Sequence, residues 1–162
     1  MIYRKGAAGA LLDIYERAIL EFVKVIEDVP DSALTIITDS ETSDENCRSV
    51  QSILTHVVNS GYGYATSIYN LKGYSYKRPD KVRHLTVRQY IEDLGQVLAY
   101  TEMIFKDLRD DELEAFENAQ KMKTVWGQWY DIEQLAEHAI IHILRHKRQI
   151  ERIKESGILW NI

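Results

Sequence analysis

The sequence is poor in the residues that staple or break a chain. Its 162 residues include one cysteine, Cys47, two prolines and eight glycines. A single cysteine forms no intrachain disulfide, which excludes a disulfide-stapled fold and fits a reducing, cytoplasmic setting. So few prolines and glycines leave too few turns for an all-β domain. No apolar run approaches the ~20 residues that span a membrane as a helix. The opening MIYRKGAAGALL is interrupted at once by Asp13, Glu16 and Arg17, so no export signal is expected.

Basic charge is also in deficit. Lys and Arg total 20 against 25 Asp and Glu, a net charge of −5. That balance repels phosphate backbones, and no nucleic-acid partner is expected. The local exception, Lys77, Arg78, Lys81, Arg83 and Arg88, reads as a solvated connection. With 45% hydrophobic residues, the length suits one domain over residues 1–162, built mainly of helices around a real core.

Four segments carry helical periodicity. The first runs from about Ala7 to Val29 and stops at Pro30; Leu11, Ile14, Tyr15, Ala18, Leu20, Phe22, Val25, Ile26 and Val29 give it a broad apolar face. The second is expected from near Ser43, where Thr42 and Glu45 have capping-box spacing, to about Leu71. Gly61 and Gly63 inside it imply close helix packing, a kink, or room for something bound. The third begins at Thr86, with Gln89 three residues on, and continues to about Leu108. After an irregular stretch from Arg109 to Tyr130, the fourth has Asp131 as N-cap, Gln134 to complete the box, and Gly157 as the stop. Four such helices pack most economically as an all-α four-helix bundle.

Four of the five histidines fall on two of these helices: His56 on the second, and His138, His142 and His146 on the fourth. Residues four apart lie one turn above each other, so two adjacent histidines of the fourth helix can share one metal ion. The heptad columns select the pair. Ile132, Ala139, His146 and Ile153 alternate with Ala136, Ile143 and Ile150 as the inward seam, and His142 borders it beside Leu135 and Gln149. His138 shares its column with Asp131, Arg145 and Arg152, which reads as solvent-facing. His56, among Ile53, Val57, Ser60 and Tyr64, also points inward. Single buried histidines are usually hydrogen-bonded core residues, but several neutral imidazoles buried together need partners that an apolar core lacks and a divalent cation supplies.

Other site chemistries have weaker sequence support. The HisGluxxHis pattern is absent, because Ala139 follows His138 and Ile143 follows His142. A di-iron site needs inward glutamates, and Glu133 and Glu137 lie off the seam. Cys47, near the start of the second helix, is either a small apolar filler or a thiol whose pKa the helix dipole lowers. No glycine loop of a nucleotide-binding pattern is present. Tyr62, Tyr64 and Tyr69 after His56, and Trp126, Trp129 and Tyr130 before the fourth helix, either line a pocket mouth or serve packing or a dimer interface.

The elements SILTHVVNSGYGY, holding His56, and HILRHKRQI, holding His142 and His146, resemble the DinB-like superfamily (DinB and YfiT types) of metal-binding four-helix bundles. Here His146 is followed by Lys147, Arg148 and Gln149, where the commoner pattern is His-Arg-Gly-Gln. The resemblance implies a three-histidine metal site and matches its ligands to His56, His142 and His146. It also implies either enzymes acting with low-molecular-weight thiols or members without an assigned reaction.

Two functional readings follow. In the first, the chain is a metal-dependent enzyme, a hydrolase or thiol transferase, whose three histidines hold zinc or nickel and leave a coordination position open to a small-molecule substrate. No general base is identifiable, and unperturbed imidazoles would release the ion as pH falls through about 6. In the second, the bundle is a non-catalytic module that forms a homodimer or binds a partner through its tyrosines and the tail Ile158, Leu159, Trp160 and Ile162.

Overall fold

A computed structural model describes residues 3–160. Its main elements are four helices, α1 (Gly6–Ile26), α2 (Val50–Leu71), α3 (Val87–Phe105) and α4 (Ile132–Glu155), with a two-residue hairpin, β1 (Met122–Lys123) and β2 (Trp129–Tyr130), before α4. Among the described residues, no helix is long and apolar enough to cross a membrane.

Helix boundaries follow the supply of caps. The α4 box forms in full: Asp131 Oδ1 accepts from the Gln134 amide at 2.9 Å, and Gln134 Oε1 accepts from the Asp131 amide at 3.1 Å. Gly157 ends the last turn with φ +74°, a left-handed conformation that glycine adopts without strain. At Thr86 only half of the box is made, its hydroxyl accepting from the Gln89 amide at 3.3 Å. The expected start of the second helix near Ser43 is corrected to Val50. Residues before it have other partners. Asp39 Oδ1 accepts from the amides of Glu41 and Thr42, and Asp44 caps a short 3-10 turn over Glu45–Cys47. The Thr38 amide then donates to Arg48 O at 2.8 Å, and Ser49 becomes the true cap by accepting from the Ser52 amide.

The helices pack in the ring order α1, α3, α2, α4. Cross-helix contacts set their directions. Lys147 meets Glu21 and Lys154 meets Asp28, so α1 and α4 run parallel. Thr55 meets Tyr90 and Thr66 meets Tyr100, so α2 and α3 also run parallel. His56 beside His146 and Tyr64 beside His138 make α2 antiparallel to α4. The sense is therefore up, down, down, up, and the connection 72–86 must return along the bundle. Fully extended it reaches about 50 Å, against about 33 Å for α2. Lys77, Arg78, Lys81 and Arg83 are exposed along it, as expected of that basic run, with Lys81 donating to Asn46 Oδ1 at 3.0 Å, and Arg88 pairs with Glu92 on α3. The fifth histidine secures its end: His84 bonds Asp93 at 2.6 Å, and its carbonyl accepts from Gln51 at 2.8 Å.

One apolar core runs through all four helices, with Phe22, Ile26, Leu54, Tyr90, Leu94, Leu135 and Ile150 fully buried. Each such side chain contributes roughly 1.5–3 kcal/mol of burial free energy. The α4 seam is buried as its heptads indicate, except that Ile153 is half-buried. On α1, by contrast, Ile14 and Leu20 face solvent. Of the apolar tail, Leu159 turns into this chain's own core, Ile158 is half-buried and Trp160 is exposed; Ile162 lies outside the described residues.

Close packing accounts for Gly61. A Cβ there would lie 2.6 Å from Val97 Cγ1 and 3.3 Å from the Tyr15 hydroxyl, so α2 meets α3 through a missing side chain. At Gly63 the nearest atom is the end of the Arg78 side chain, which can move. Gly61→Ala gains roughly 1 kcal/mol of helix propensity but overpacks the contact, and a net loss of about 1–2 kcal/mol is expected. Urea unfolding checks this: adding Val97→Ala should recover part of the loss, whereas a stabilised Gly61→Ala variant would contradict the close approach.

Candidate metal centre

The antiparallel pairing of α2 and α4 brings His56 to the same level as His142 and His146. Among the described residues, these three form a group whose candidate ligand atoms all lie within 4.8 Å of one another. Their ring centroids are separated by 4.8, 5.1 and 4.5 Å. His56 and His142 are half-buried and His146 is buried. The trio expected from the heptad columns is thus assembled. Glu133 and Glu137 are not part of it.

Proton accounting defines what the cluster lacks. Gln149 Oε1 accepts from His146 Nδ1 at 2.9 Å, so that nitrogen holds the ring's proton and Nε2 presents its lone pair. His142 Nε2 lies 2.8 Å from His56 Nε2. Without a cation, one of those nitrogens must donate to the other. With both deprotonated, their lone pairs face common space, and a ring nitrogen of His146 lies within 4.8 Å of both. Imidazole nitrogens around one tetrahedral ion at about 2.0–2.1 Å lie about 3.4 Å apart, so to take one the His56–His142 pair opens from 2.8 Å while the His146 ligand atom, within 4.8 Å of both, settles to that spacing.

Burial keeps these rings neutral. Desolvation first, then the charge that a protonated His146 would carry, lowers His56 to about 4. The same causes, with His56, His138 and Arg145 adding repulsion, lower His142 to about 3. His146 is lowered by burial, against the bond to Gln149. Metal release by unperturbed histidines near pH 6 is therefore revised downward, because these rings resist protonation well below that value.

The triad forms the floor of an open cleft of about 1410 Å³ along α4. Tyr64, Trp126 and Tyr130 line one end of it, as the pocket-mouth reading requires. The other aromatics do not take part: Tyr62 packs on Tyr100, Tyr69 stacks on Tyr74 with ring centroids 3.9 Å apart, and Lys123 lies over Trp129. His138 is half-buried, not solvent-facing. Trp126 stacks on it at 4.9 Å, with Tyr64 and Tyr130 at its edges, which leaves it in the cleft 6.4 Å from the His142 ring. Its pKa is lowered by burial and then by Arg145, so it is a neutral base in the cleft at pH 7.

On the opposite wall are Asp44 and Cys47. The Cys47 thiol lies 3.6 Å from Asp44 Oδ2 and 3.8 Å from Gln149 Oε1. Burial raises its pKa, which overturns the activated thiol that a helix dipole would produce; Cys47 sits in the 3-10 turn before α2. Asp44 is held ionised chiefly by the Asn46 amide, and its charge favours protonation of His56 and His146. Gln149 and Asp44 are site residues that the sequence reading did not assign. Gln149 has a signal, three residues after His146 on the same helix face; Asp44 has none, because the loop carrying it is placed by the turn before α2.

Compared with protein-family models, curated proteins and solved structures, the chain matches none.

In metal-free protein, the unfolded chain protonates its histidines near 6.5 while the folded chain does not until about 4 and 3 for His56 and His142. The stability associated with these rings is present above 6.5 and falls as pH drops below it, by at most about 1.4 kcal/mol per pH unit for each histidine. Urea midpoints between pH 7 and 5 should decline, and His142→Asn should flatten the decline. A midpoint constant over that range would contradict buried neutral imidazoles.

Proposed function

We propose that the chain is a metal-dependent enzyme of the DinB-like superfamily that holds one divalent ion, zinc or nickel, on His56, His142 and His146. The observation that carries this reading is the convergence of three neutral imidazoles whose ligand atoms lie within 4.8 Å of one another, with the His146 ring held through Nδ1 by Gln149. A divalent ion on three imidazoles supplies a Lewis acid with a position open to a water or substrate atom. Hydrolysis and thiol transfer are the reactions that such a site supports.

The chain's own residues supply the rest. His138 accepts a proton from a group bound in the cleft, since it is neutral at pH 7 and not among the three ligands. Tyr64 closes the aromatic end over His138 and His142, at 5.3 and 5.6 Å between ring centroids. Burial pushes its hydroxyl up to about 12, so it donates a hydrogen bond and does not act as an anion. Asp44 places a fixed negative charge beside the imidazoles, which complements a cation at the triad.

Elemental analysis of untagged protein purified without chelators tests the reading. The parent should carry close to one ion per chain, and His56→Ala and His146→Ala should carry none while keeping their helical circular dichroism. Unchanged metal content in those variants would refute the ligand assignment. Gln149→Leu should still bind the ion, but about 10–100-fold more weakly, because His146 loses the partner that fixes its tautomer. Competition with a chelator reads that affinity, and parent-like affinity would remove Gln149 from the account.

A further inference from the structure

The cleft wall beyond the histidines carries a row of cations on a protein that is acidic overall. Arg145, Arg148 and Arg152, spaced three and four residues apart on α4, all line the cleft and are exposed to it. The other α4 cations behave differently. Lys147 pairs with Glu21 at 2.8 Å and Glu151 at 3.8 Å, and Lys154 pairs with Asp28 at 2.5 Å, all away from the cleft. Among the described residues, none of the three arginines has a carboxylate partner, and Glu151, within reach of Arg148 along the helix, is engaged by Lys147.

Like charges three and four residues apart repel one another and destabilise the helix that holds them. Here three guanidinium groups line an open cleft whose acidic lining residues are Asp39 and Asp44, which leaves an excess of positive charge. The acids across from them, Asp39 and Asp44, are occupied as caps, Asp39 by the amides of Glu41 and Thr42 and Asp44 by the Asn46 amide and the Cys47 thiol. A guanidinium presents a planar fork of N–H donors that matches a carboxylate or phosphate and, unlike an ammonium, holds its orientation.

The cleft is also polar along its length. Trp126, Tyr130 and the exposed Ile141 supply apolar surface on the His138 side, the triad lies between, and Arg148 and Arg152 follow toward the C-terminal end of α4. At 1.5 Å per residue, Arg152 lies about 9 Å along the helix from His146.

We propose that the site takes an elongated anionic substrate, whose carboxylate or phosphate is held by Arg148 and Arg152 while its apolar portion rests against Trp126 and its reacting bond lies at the histidine triad. The substrate class rests on the three-histidine reading; the anion contact itself belongs to the arginines. Arg145, next to His146, is the cation nearest in sequence to the reacting centre, and the other two are positioning residues for the distant charge.

The test titrates zinc-loaded protein, dialysed free of excess zinc, with inorganic phosphate and separately with glutarate at low ionic strength, following the heat of binding. The parent is compared with Arg148→Gln/Arg152→Gln, with the charge-retaining Arg148→Lys/Arg152→Lys, and with Arg88→Gln as a remote surface control. The parent should bind at least one of the two anions, and which one it prefers identifies the substrate's charged group. The glutamine pair should weaken that binding at least about tenfold, the lysine pair should fall between, and Arg88→Gln should match the parent. Binding of neither anion by the parent, or equal binding by the glutamine pair, would overturn the proposal. So would a loss in Arg88→Gln as large as in the glutamine pair. Binding abolished by His142→Ala but untouched in the glutamine pair would place the anion on the ion and overturn the arginine assignment. Metal content, read on the same samples, reports separately on the three-histidine reading.

Discussion

Three imidazoles packed between α2 and α4 have too few protons to satisfy one another. Each neutral ring has one N–H; that of His146 goes to Gln149, and one from His56 or His142 spans the 2.8 Å between them. Lone pairs remain facing inward, in surroundings where burial forbids the simplest remedy, protonation. The triad opens onto the cleft, so none of these nitrogens is sealed away without a partner, and solvent meets the unshared lone pairs until a cation takes them. A cation uses all of them at once.

The rest of the bundle serves that meeting. Antiparallel α2 and α4 place a histidine early in α2 against two in the middle of α4, and the long return along 72–86 is the consequence of running α2 and α3 in the same direction. The missing side chain at Gly61 lets α3 approach α2 closely. The loop before α2, held by the bond from the Thr38 amide to Arg48 and by the Ser49 cap, delivers Asp44 and Cys47 to the cleft wall beside Gln149. The hairpin before α4 delivers Trp126 onto His138, which turns a position that reads as solvent-facing into part of the site.

Much of this was legible in the chain itself. Periodicity and the Asp131 box located α4, and its heptad columns alone selected His142 and His146 over His138 as the inward pair. What could not be read shares a physical cause. The expected helix start at Ser43 failed because local caps at Asp39, Asp44 and Ser49 outbid the Thr42 and Glu45 spacing, and competition among neighbouring caps is settled by tertiary hydrogen bonds. The environments of His138 and Cys47 depend on loops whose paths no periodicity encodes. Leu159, read as part of an interface, turns instead into its own core, because an apolar tail looks the same in sequence whichever surface it covers.

The most direct measurement is X-ray absorption at the metal edge on protein purified without chelators. The account predicts imidazole nitrogen scatterers at about 2.0–2.1 Å, three of them per ion, with no sulfur. A thiolate at about 2.3 Å would put Cys47 in the site, and a shell of oxygen alone would place the ion elsewhere; either result would contradict the three-histidine centre.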